Sequence, residues 1–238
     1  DETEQKRQIA LLFDLNMQKN QAQQYLDKLI SLQLPSGAFS WFKGMGESRY
    51  VTQEIILNLA RLNKMTGQSA VSSEQSAVQS ALNYLDLEIA RDFENLKKYN
   101  KNYDKEMSIG NMQLFYLHMR SEYPEIPVHV SAQAAVRFYT AQSEKYWTSF
   151  TLYGKAMMAV VSQRNGKIQV ANDIMKSLRE NALKTDEFGM YWAKNTSGYY
   201  WNERPIAVQA AIIEAFAEVE KNKTEVDEMK IWLLKQKQ

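Results

Sequence analysis

The sequence predicts an all-α protein, and three observations support that prediction. Apolar residues recur at helical spacing along nearly the whole chain of 238 residues. The helical segments are separated by short connections, in which proline, glycine or asparagine stops one helix before the next begins. Only one stretch, around residues 187–201, departs from this periodicity.

The first half of the chain contains several predicted helices, each with an apolar face. Pro35 and Gly37 stop the second helix, because neither residue continues a helix well. Ser48 fits the start of the third helix, and Ser72 with Gln75 resembles a capping box that opens the fourth. These helices are predicted at residues 4–14, 20–34, 49–64, 72–96 and 107–120.

The second half continues in the same way after Pro124 and Pro127. Asn165 and Gly166 form a helix stop, and Pro205 occupies a first turn, where its missing N–H is not needed. Thr224, with an aspartate three residues on, is predicted to cap the last helix. The helices are predicted at residues 130–146, 149–163, 167–183, 205–219 and from 224 to the end.

The exceptional stretch contains two aromatic runs, at residues 187–192 and 198–201, on either side of a turn-rich segment at 194–197. This arrangement is typical of a short β-hairpin or of a loop pinned by its aromatic rings. An isolated hairpin is only marginally stable, so we expect this one to lie against the helices.

Helices joined by short loops must be neighbours, which indicates stacked helical hairpins in either an open solenoid or a closed ring. A glycine-aromatic loop at residues 37–41 leads into a helix that carries Gln53. A similar loop at 198–201 leads into a helix that carries Gln209. By analogy with proteins whose helical hairpins close on themselves, these loops favour the ring, and we expect an incomplete α/α toroid.

The composition excludes several classes of function. The formal net charge is +1, with basic and acidic residues interleaved, so nothing favours a nucleic-acid partner. The chain has no cysteine, which excludes disulfides, thiolate nucleophiles and cysteine metal sites. His118 and His129 lack metal-ligand spacing, and no apolar run could span a bilayer. We predict no cofactor and no metal.

The chain is long enough for one large helical domain covering residues 1–238. It begins without methionine or a signal peptide, and its last helix carries no stop signal. We therefore expect a fragment of a larger multidomain protein.

The loop at residues 34–50 is the most informative segment for function. It could be an aromatic platform for a sugar or apolar ligand, or a loop packed on helix ends. Packing is favoured, because Glu47 is the only acid nearby. Glycosidase chemistry needs two facing carboxylates, and nothing in the spacing of Glu47, Asp186, Glu187 and Glu203 marks a pair. We predict no catalytic residue, and the structural or surface candidates are Gly37, Phe39, Trp41, Tyr191, Trp192, Tyr200 and Trp201.

Two segments carry a resemblance to a known family. Residues 34–42 (LPSGAFSWF) with 47–53 (ESRYVTQ) resemble the thioester-type helical domain of alpha-2-macroglobulin-like proteins. Residues 181–216 and 227–235 are similar to the same domain in bacterial members, of the kind that Bacteroides-type bacteria carry.

The resemblance implies an α/α toroid within a protein that traps proteases after they cut a bait region. In the family, an internal thioester between a cysteine and a glutamine can couple to the protease. This chain has no cysteine, so the motif lies upstream or is missing, and we expect it to be missing. Inhibition would then rest on physical entrapment.

The resemblance also implies partners and location. The expected partners are neighbouring domains of the parent chain and target proteases, with no nucleic acid and no membrane contact by this fragment. The expected location is the periplasm or cell surface, with the anchor elsewhere in the parent protein. We expect no enzymatic activity.

Two rival hypotheses remain. The first is an enzyme on a similar toroid, such as a glycan hydrolase or a relative of terpene cyclases, although the chain has no Asp-Asp-x-x-Asp run. The second is a helical scaffold with a protein partner on its concave side.

Overall fold

The computed structural model describes residues 20–67, 72–195 and 204–236. Within these residues the fold is all-α with one two-stranded hairpin, which confirms the predicted fold class. The helices are α1 (20–30), α2 (Arg49–Thr66), α3 (Ser72–Tyr99), α4 (Asn111–Arg120), α5 (Gln133–Tyr146), α6 (Leu152–Arg164), α7 (Ile168–Glu180), α8 (Pro205–Ala215) and α9 (Lys223–Lys235). The strands are β1 (Leu183–Thr185) and β2 (Gly189–Tyr191). The helix predicted at residues 4–14 lies outside the described residues.

The chain forms two compact units, Asp1–Glu88 and Ile89–Gln238, and the boundary falls inside α3. In the first unit, the buried apolar residues come mainly from one face of α2 and from the first part of α3. They include Ile56, Leu57, Ala81, Leu82 and Leu85.

The second unit is organised around α6, which packs against α4, α7 and α8. A helix surrounded on all sides must be apolar all round, and α6 buries a continuous run from Ala156 to Val161. Its partner α7 buries only one face, through residues such as Ile174 and Leu178. None of the helices in the described part of the chain combines the length and hydropathy needed to cross a bilayer.

Most helix ends lie where local sequence signals predict them. The Ser48 hydroxyl accepts a hydrogen bond from the backbone N–H of Val51 and so caps α2. Asn165 ends α6, and Gly166 follows with a φ of 72°. Pro205 is the first residue of α8.

The predicted cap of the last helix is wrong. The side chain of Asn222, not Thr224, accepts the hydrogen bond from the Glu225 N–H, and α9 begins at Lys223. Asn222 is the N-cap because the chain turns into the helix two residues before Thr224, after a left-handed residue, Lys221, with a φ of 55°. Thr224 is therefore inside the helix.

The hairpin is present, but its strands differ from the predicted ones. β2 contains part of the first aromatic run and pairs antiparallel with β1, with Leu183 opposite Tyr191 and Thr185 opposite Gly189. Helix α7 ends at Glu180 instead of 183, which frees β1 for this pairing. The turn is at residues 186–188, and the second aromatic run lies outside the described residues.

Arg164 joins the ends of three elements in the second unit. Its guanidinium binds Glu218 through Nε at 2.5 Å and lies 2.7 Å from Glu122. It also donates to the Ser121 hydroxyl at 2.8 Å. Burial alone would lower the pKa of Arg164, but the hydrogen bonds and charges of Glu218 and Glu122 outweigh it and raise the pKa. The arginine therefore stays charged and neutralises a Glu122 side chain that is fully buried.

Candidate functional site

The aromatic loop of the first unit, residues 34–48, is held by hydrogen bonds to its backbone. The Thr52 hydroxyl accepts from the Phe39 N–H and donates to the Ser48 carbonyl, both at 2.8 Å. The Ser48 N–H in turn donates to the Phe39 carbonyl at 2.8 Å. Gln33 donates through its amide to the carbonyls of Gly37 and Ala77, which ties the loop to α3. The loop is therefore a fixed part of the fold.

Gly37 has a role in this loop that the sequence did not indicate. Helix α1 ends at residue 30, so Gly37 does not stop it. Its φ is 90°, and a Cβ at this position would lie 2.2 Å from the Ser80 carbonyl oxygen on α3. Only glycine allows both this backbone angle and this approach between two backbones.

The aromatic residues of the loop divide into a buried part and an exposed part. Phe39 is only 2% exposed and belongs to the core. Trp41 is 50% exposed, and Phe42 and Met45 are also exposed at the loop surface. The Trp41 ring stacks on Tyr50, with ring centroids 6.0 Å apart and an interplanar angle of 19°. Of the two aromatic candidates in this loop, only Trp41 therefore presents a surface to solvent.

A row of polar side chains runs along α2 from this aromatic pair. The Tyr50 hydroxyl donates to one oxygen of Glu54 at 2.8 Å. The Asn58 side-chain amide donates to the Glu54 backbone carbonyl at 2.9 Å and lies 3.4 Å from the other carboxylate oxygen of Glu54. Sequence reasoning did not single out Glu54 or Asn58, although the spacing of four residues places all three side chains on one helix face. We call Trp41, Tyr50, Glu54 and Asn58 the α2 strip.

The acids considered for catalysis are exposed side chains wherever the structure describes them. Glu47 is exposed in the first unit, and Asp186 and Glu187 are exposed in the hairpin turn of the second. Glu203 lies outside the described part of the chain. Across residues 20–67, 72–195 and 204–236, no group of three or more histidine, aspartate or glutamate side chains could hold a metal ion.

The hairpin candidates have structural roles in the second unit. Trp192 is buried, its indole N–H donates to the Leu178 carbonyl at 2.8 Å, and its ring lies 6.3 Å from Phe216. Tyr191 is half-buried beside Phe188, with ring centroids 6.0 Å apart. The other two candidates, Tyr200 and Trp201, fall outside the described residues.

The two glutamines of the matching helices are both fully buried. The Gln209 amide donates to the carbonyls of Met190 at 2.9 Å and Met229 at 3.3 Å, so it joins α8 to β2 and α9. Gln53 accepts from Arg49 on its own helix at 3.2 Å. In the first unit the loop backbone is held by the neighbouring Thr52.

A network of charges fastens the hairpin and α7 to α9. Arg179 binds both Glu220 and Glu225, and Lys184 of β1 lies 3.2 Å from Glu225 and 3.0 Å from Glu228. Hydrogen bonding to Arg179 holds the pKa of Glu225 below its ordinary value of 4.5, against the opposing effect of burial, and Lys184 adds to this. The hydrogen bonds to Glu225 and Glu220 also raise the pKa of Arg179.

This network predicts an acid-dependent contribution to stability. Because the pKa of Glu225 is lower in the folded state, its ionised form stabilises the fold above about pH 4.5, and this contribution is lost as the pH falls through the folded-state pKa. Glu225→Gln should lower the free energy of unfolding by about 1–2 kcal/mol at pH 7, and by progressively less below pH 4.5. Urea unfolding followed by circular dichroism at a series of pH values measures this difference.

The matched control is Asp227→Asn, since Asp227 forms an exposed ion pair with Lys230 one helix turn away. This variant should change stability little at any pH. If the loss of unfolding free energy caused by Glu225→Gln stayed constant down to pH 3, that result would contradict the assigned role of the ionised carboxylate.

Comparison of the chain with models of protein families finds no match, and comparison with curated proteins finds no significant relative.

Proposed function

We propose that this chain is a non-catalytic helical module of an alpha-2-macroglobulin-like protease-trapping protein. In this proposal the paired helices form part of an α/α toroid that packs against neighbouring domains of the parent chain. The segments that resemble the family, at residues 34–42 with 47–53, 181–216 and 227–235, include most of the aromatic loop and the hairpin.

The observation that carries the proposal is the use of polar side chains at both segments. Three side chains form hydrogen bonds with backbone groups of a loop, strand or helix. They are Thr52, Trp192 and Gln209. These bonds hold the loop of the first unit, and the hairpin and helices of the second unit, each in one shape. Such use of polar side chains favours a structural module.

A docking face in the second unit would serve this role. Two apolar side chains of α9, Ile231 and Leu234, lie three residues apart on one side of the helix and are exposed, and Leu234 is 66% exposed. The charge network and Gly189, whose Cβ would lie 2.1 Å from the Glu228 carbonyl oxygen, hold α9 against the hairpin. Rigid apolar surface of this kind favours association with another domain.

The test uses the full-length parent protein and an active endopeptidase. We expect the protease, once it has cut the parent, to keep its activity on a small chromogenic peptide and to lose activity on a large protein substrate. This pattern is the mark of entrapment, because only large substrates are excluded. Equal loss on both substrates, or loss on neither, would exclude a trap.

The docking face is tested by Leu234→Asp in the same parent protein. A charge placed at a packed domain contact is costly, so we expect at least a threefold smaller fraction of protease to be trapped. Met65→Asp, at an exposed apolar residue of the first unit, is the matched control and should trap as the unaltered protein does. Identical trapping by both variants would remove this face from the proposal.

A further inference from the structure

We propose that Asn165 is a site of spontaneous deamidation, and that opening of the turn between α6 and α7 controls the rate of this reaction. The proposal goes beyond the proposed function, since it concerns a chemical change within the second unit and needs no protease. Asn165 and Gly166 form the only asparagine-glycine pair in the sequence. A glycine after asparagine favours deamidation, because no Cβ hinders attack by the glycine nitrogen.

The reaction needs no reactant other than water. The backbone nitrogen of Gly166 gives up its proton to the solvent and attacks the side-chain carbonyl carbon of Asn165. The bond from that carbon to the amide nitrogen breaks, and this nitrogen takes up a proton and leaves as ammonia. Water then opens the resulting five-membered imide at one of its two carbonyls, which gives aspartate or isoaspartate.

The turn is accessible to this chemistry. Asn165 and Gly166 are both exposed, so water reaches the side-chain amide and the imide that forms from it. A Cβ built on Gly166 would have no described atom of another element within 4 Å. Packing against other helices therefore does not shield this side of the turn.

The backbone of the turn nevertheless holds the pair in an unreactive geometry. Asn165 has a ψ of 6°, which turns the Gly166 nitrogen away from the Asn165 side chain, so this angle must rotate before attack. The Gly166 N–H donates to the Gln163 carbonyl at 3.2 Å. The Lys167 N–H donates to the Ser162 carbonyl at 2.8 Å. With Gly166 left-handed, at a φ of 72°, these two bonds form a Schellman motif that fixes the angle and binds the attacking nitrogen.

Deamidation therefore requires the turn to open. Opening breaks two hydrogen bonds at the exposed end of a helix, which needs much less free energy than unfolding of the whole unit. The rate then follows the fraction of molecules in which the turn is open. Asn165 should be converted in the folded chain, but more slowly than in the unfolded chain.

The product weakens the turn in which it forms. A carboxylate at residue 165 lies at the C-terminal end of α6, where the helix dipole disfavours negative charge. Isoaspartate also adds an atom to the backbone of the Schellman motif, so its two hydrogen bonds no longer fit. The modification therefore loosens the connection between α6 and α7 and accumulates with the age of the molecule.

The experiment follows the purified full chain at pH 8 and 37 °C, once folded and once unfolded in guanidinium chloride. Cleavage after glutamate gives a fragment of residues 145–180, in which mass spectrometry locates the change from amide to acid. We expect conversion of Asn165 in both samples, at least about tenfold slower in the folded one. Asn172, which is exposed on α7 and followed by aspartate, is the internal control and should be converted far more slowly in both.

Lys167→Pro tests the control by the turn. It removes the N–H that binds Ser162 and leaves the reacting pair unchanged. This variant should be converted several-fold faster than the unaltered chain when folded, and at the same rate in guanidinium chloride. Circular dichroism before incubation shows whether the variant is folded; if it is not, the folded and unfolded samples of the unaltered chain still decide.

Three results would overturn the proposal. The first is equal conversion of Asn165 and Asn172 in the unfolded chain, which would remove the special reactivity of the pair. The second is an equal rate for Asn165 in the folded and unfolded samples, or no conversion at all in the folded one. The third is an unchanged rate in folded Lys167→Pro. None of these outcomes affects the trapping test, which uses the parent protein and a protease.

Discussion

Gly37→Ala should destabilise the first unit by more than about 3 kcal/mol. The new Cβ would lie 2.2 Å from the Ser80 carbonyl oxygen, and the φ of 90° is unfavourable for any residue with a side chain. Because the obstacle is the backbone of α3, the loop must move away from it and break the hydrogen bonds that Thr52 and Gln33 make. The loss is measured by urea unfolding and by hydrogen exchange of amides in residues 34–60.

Gly44→Ala is a close control for this prediction. Gly44 has a φ of 89°, but nothing lies within 4 Å of a Cβ placed there. Gly44→Ala should therefore lower the free energy of unfolding only through backbone strain, by about 1 kcal/mol. If the two variants lost the same stability, the close approach of Gly37 to Ser80 would not matter, and the loop would not be held against α3 as described.

Arg164→Met should destabilise the second unit by about 3–5 kcal/mol, because it leaves the buried Glu122 side chain without its neutralising partner. It also removes the paired hydrogen bonds to Glu218, at 2.5 Å and 2.6 Å, that join α6 to the π-helical segment Phe216–Glu220, which continues α8. The size of the effect comes mainly from Glu122, since Glu218 is partly exposed. Urea unfolding of the purified chain, followed by far-ultraviolet circular dichroism, measures the loss.

The double variant Arg164→Met with Glu122→Gln tests this explanation. Removing the buried charge together with its partner should recover at least half of the lost stability, since a neutral amide is less costly to bury than a carboxylate. Arg164→Lys should give an intermediate loss, because lysine keeps the charge but lacks the planar fork that binds Glu218 through two nitrogens. A double variant as unstable as Arg164→Met would contradict the central role of Glu122.

Part of the candidate site could be predicted from the sequence. The glycine and aromatic residues at 37–41 indicated a special loop, and Ser48 marked the helix start that follows it. The sequence could not predict that Phe39 is buried and Trp41 half exposed, because both are large aromatic residues of the same short loop. The loop conformation depends on hydrogen bonds with Thr52 and Gln33, which lie outside the loop.

The hairpin illustrates the same limit. Aromatic runs at 187–192 and 198–201 suggested that the two runs would pair, yet β2 pairs with the less distinctive residues 183–185. The position of this hairpin also depends on Gly189, whose φ of 66° and close approach to Glu228 place β2 directly against α9. This approach joins residues about 40 positions apart, so no local pattern reveals it.

Periodicity and capping act over a few residues, so the all-α fold class, the order of the helices and most of their ends could be predicted from the sequence. Other features depend on packing: which aromatic residues are buried, why Gly37 and Gly189 must be glycines, and which backbone groups Gln209 holds. It also decided that Arg164 meets Glu122 and Glu218. These contacts join residues that lie far apart in the chain, and their energies depend on a packed environment that exists only after folding.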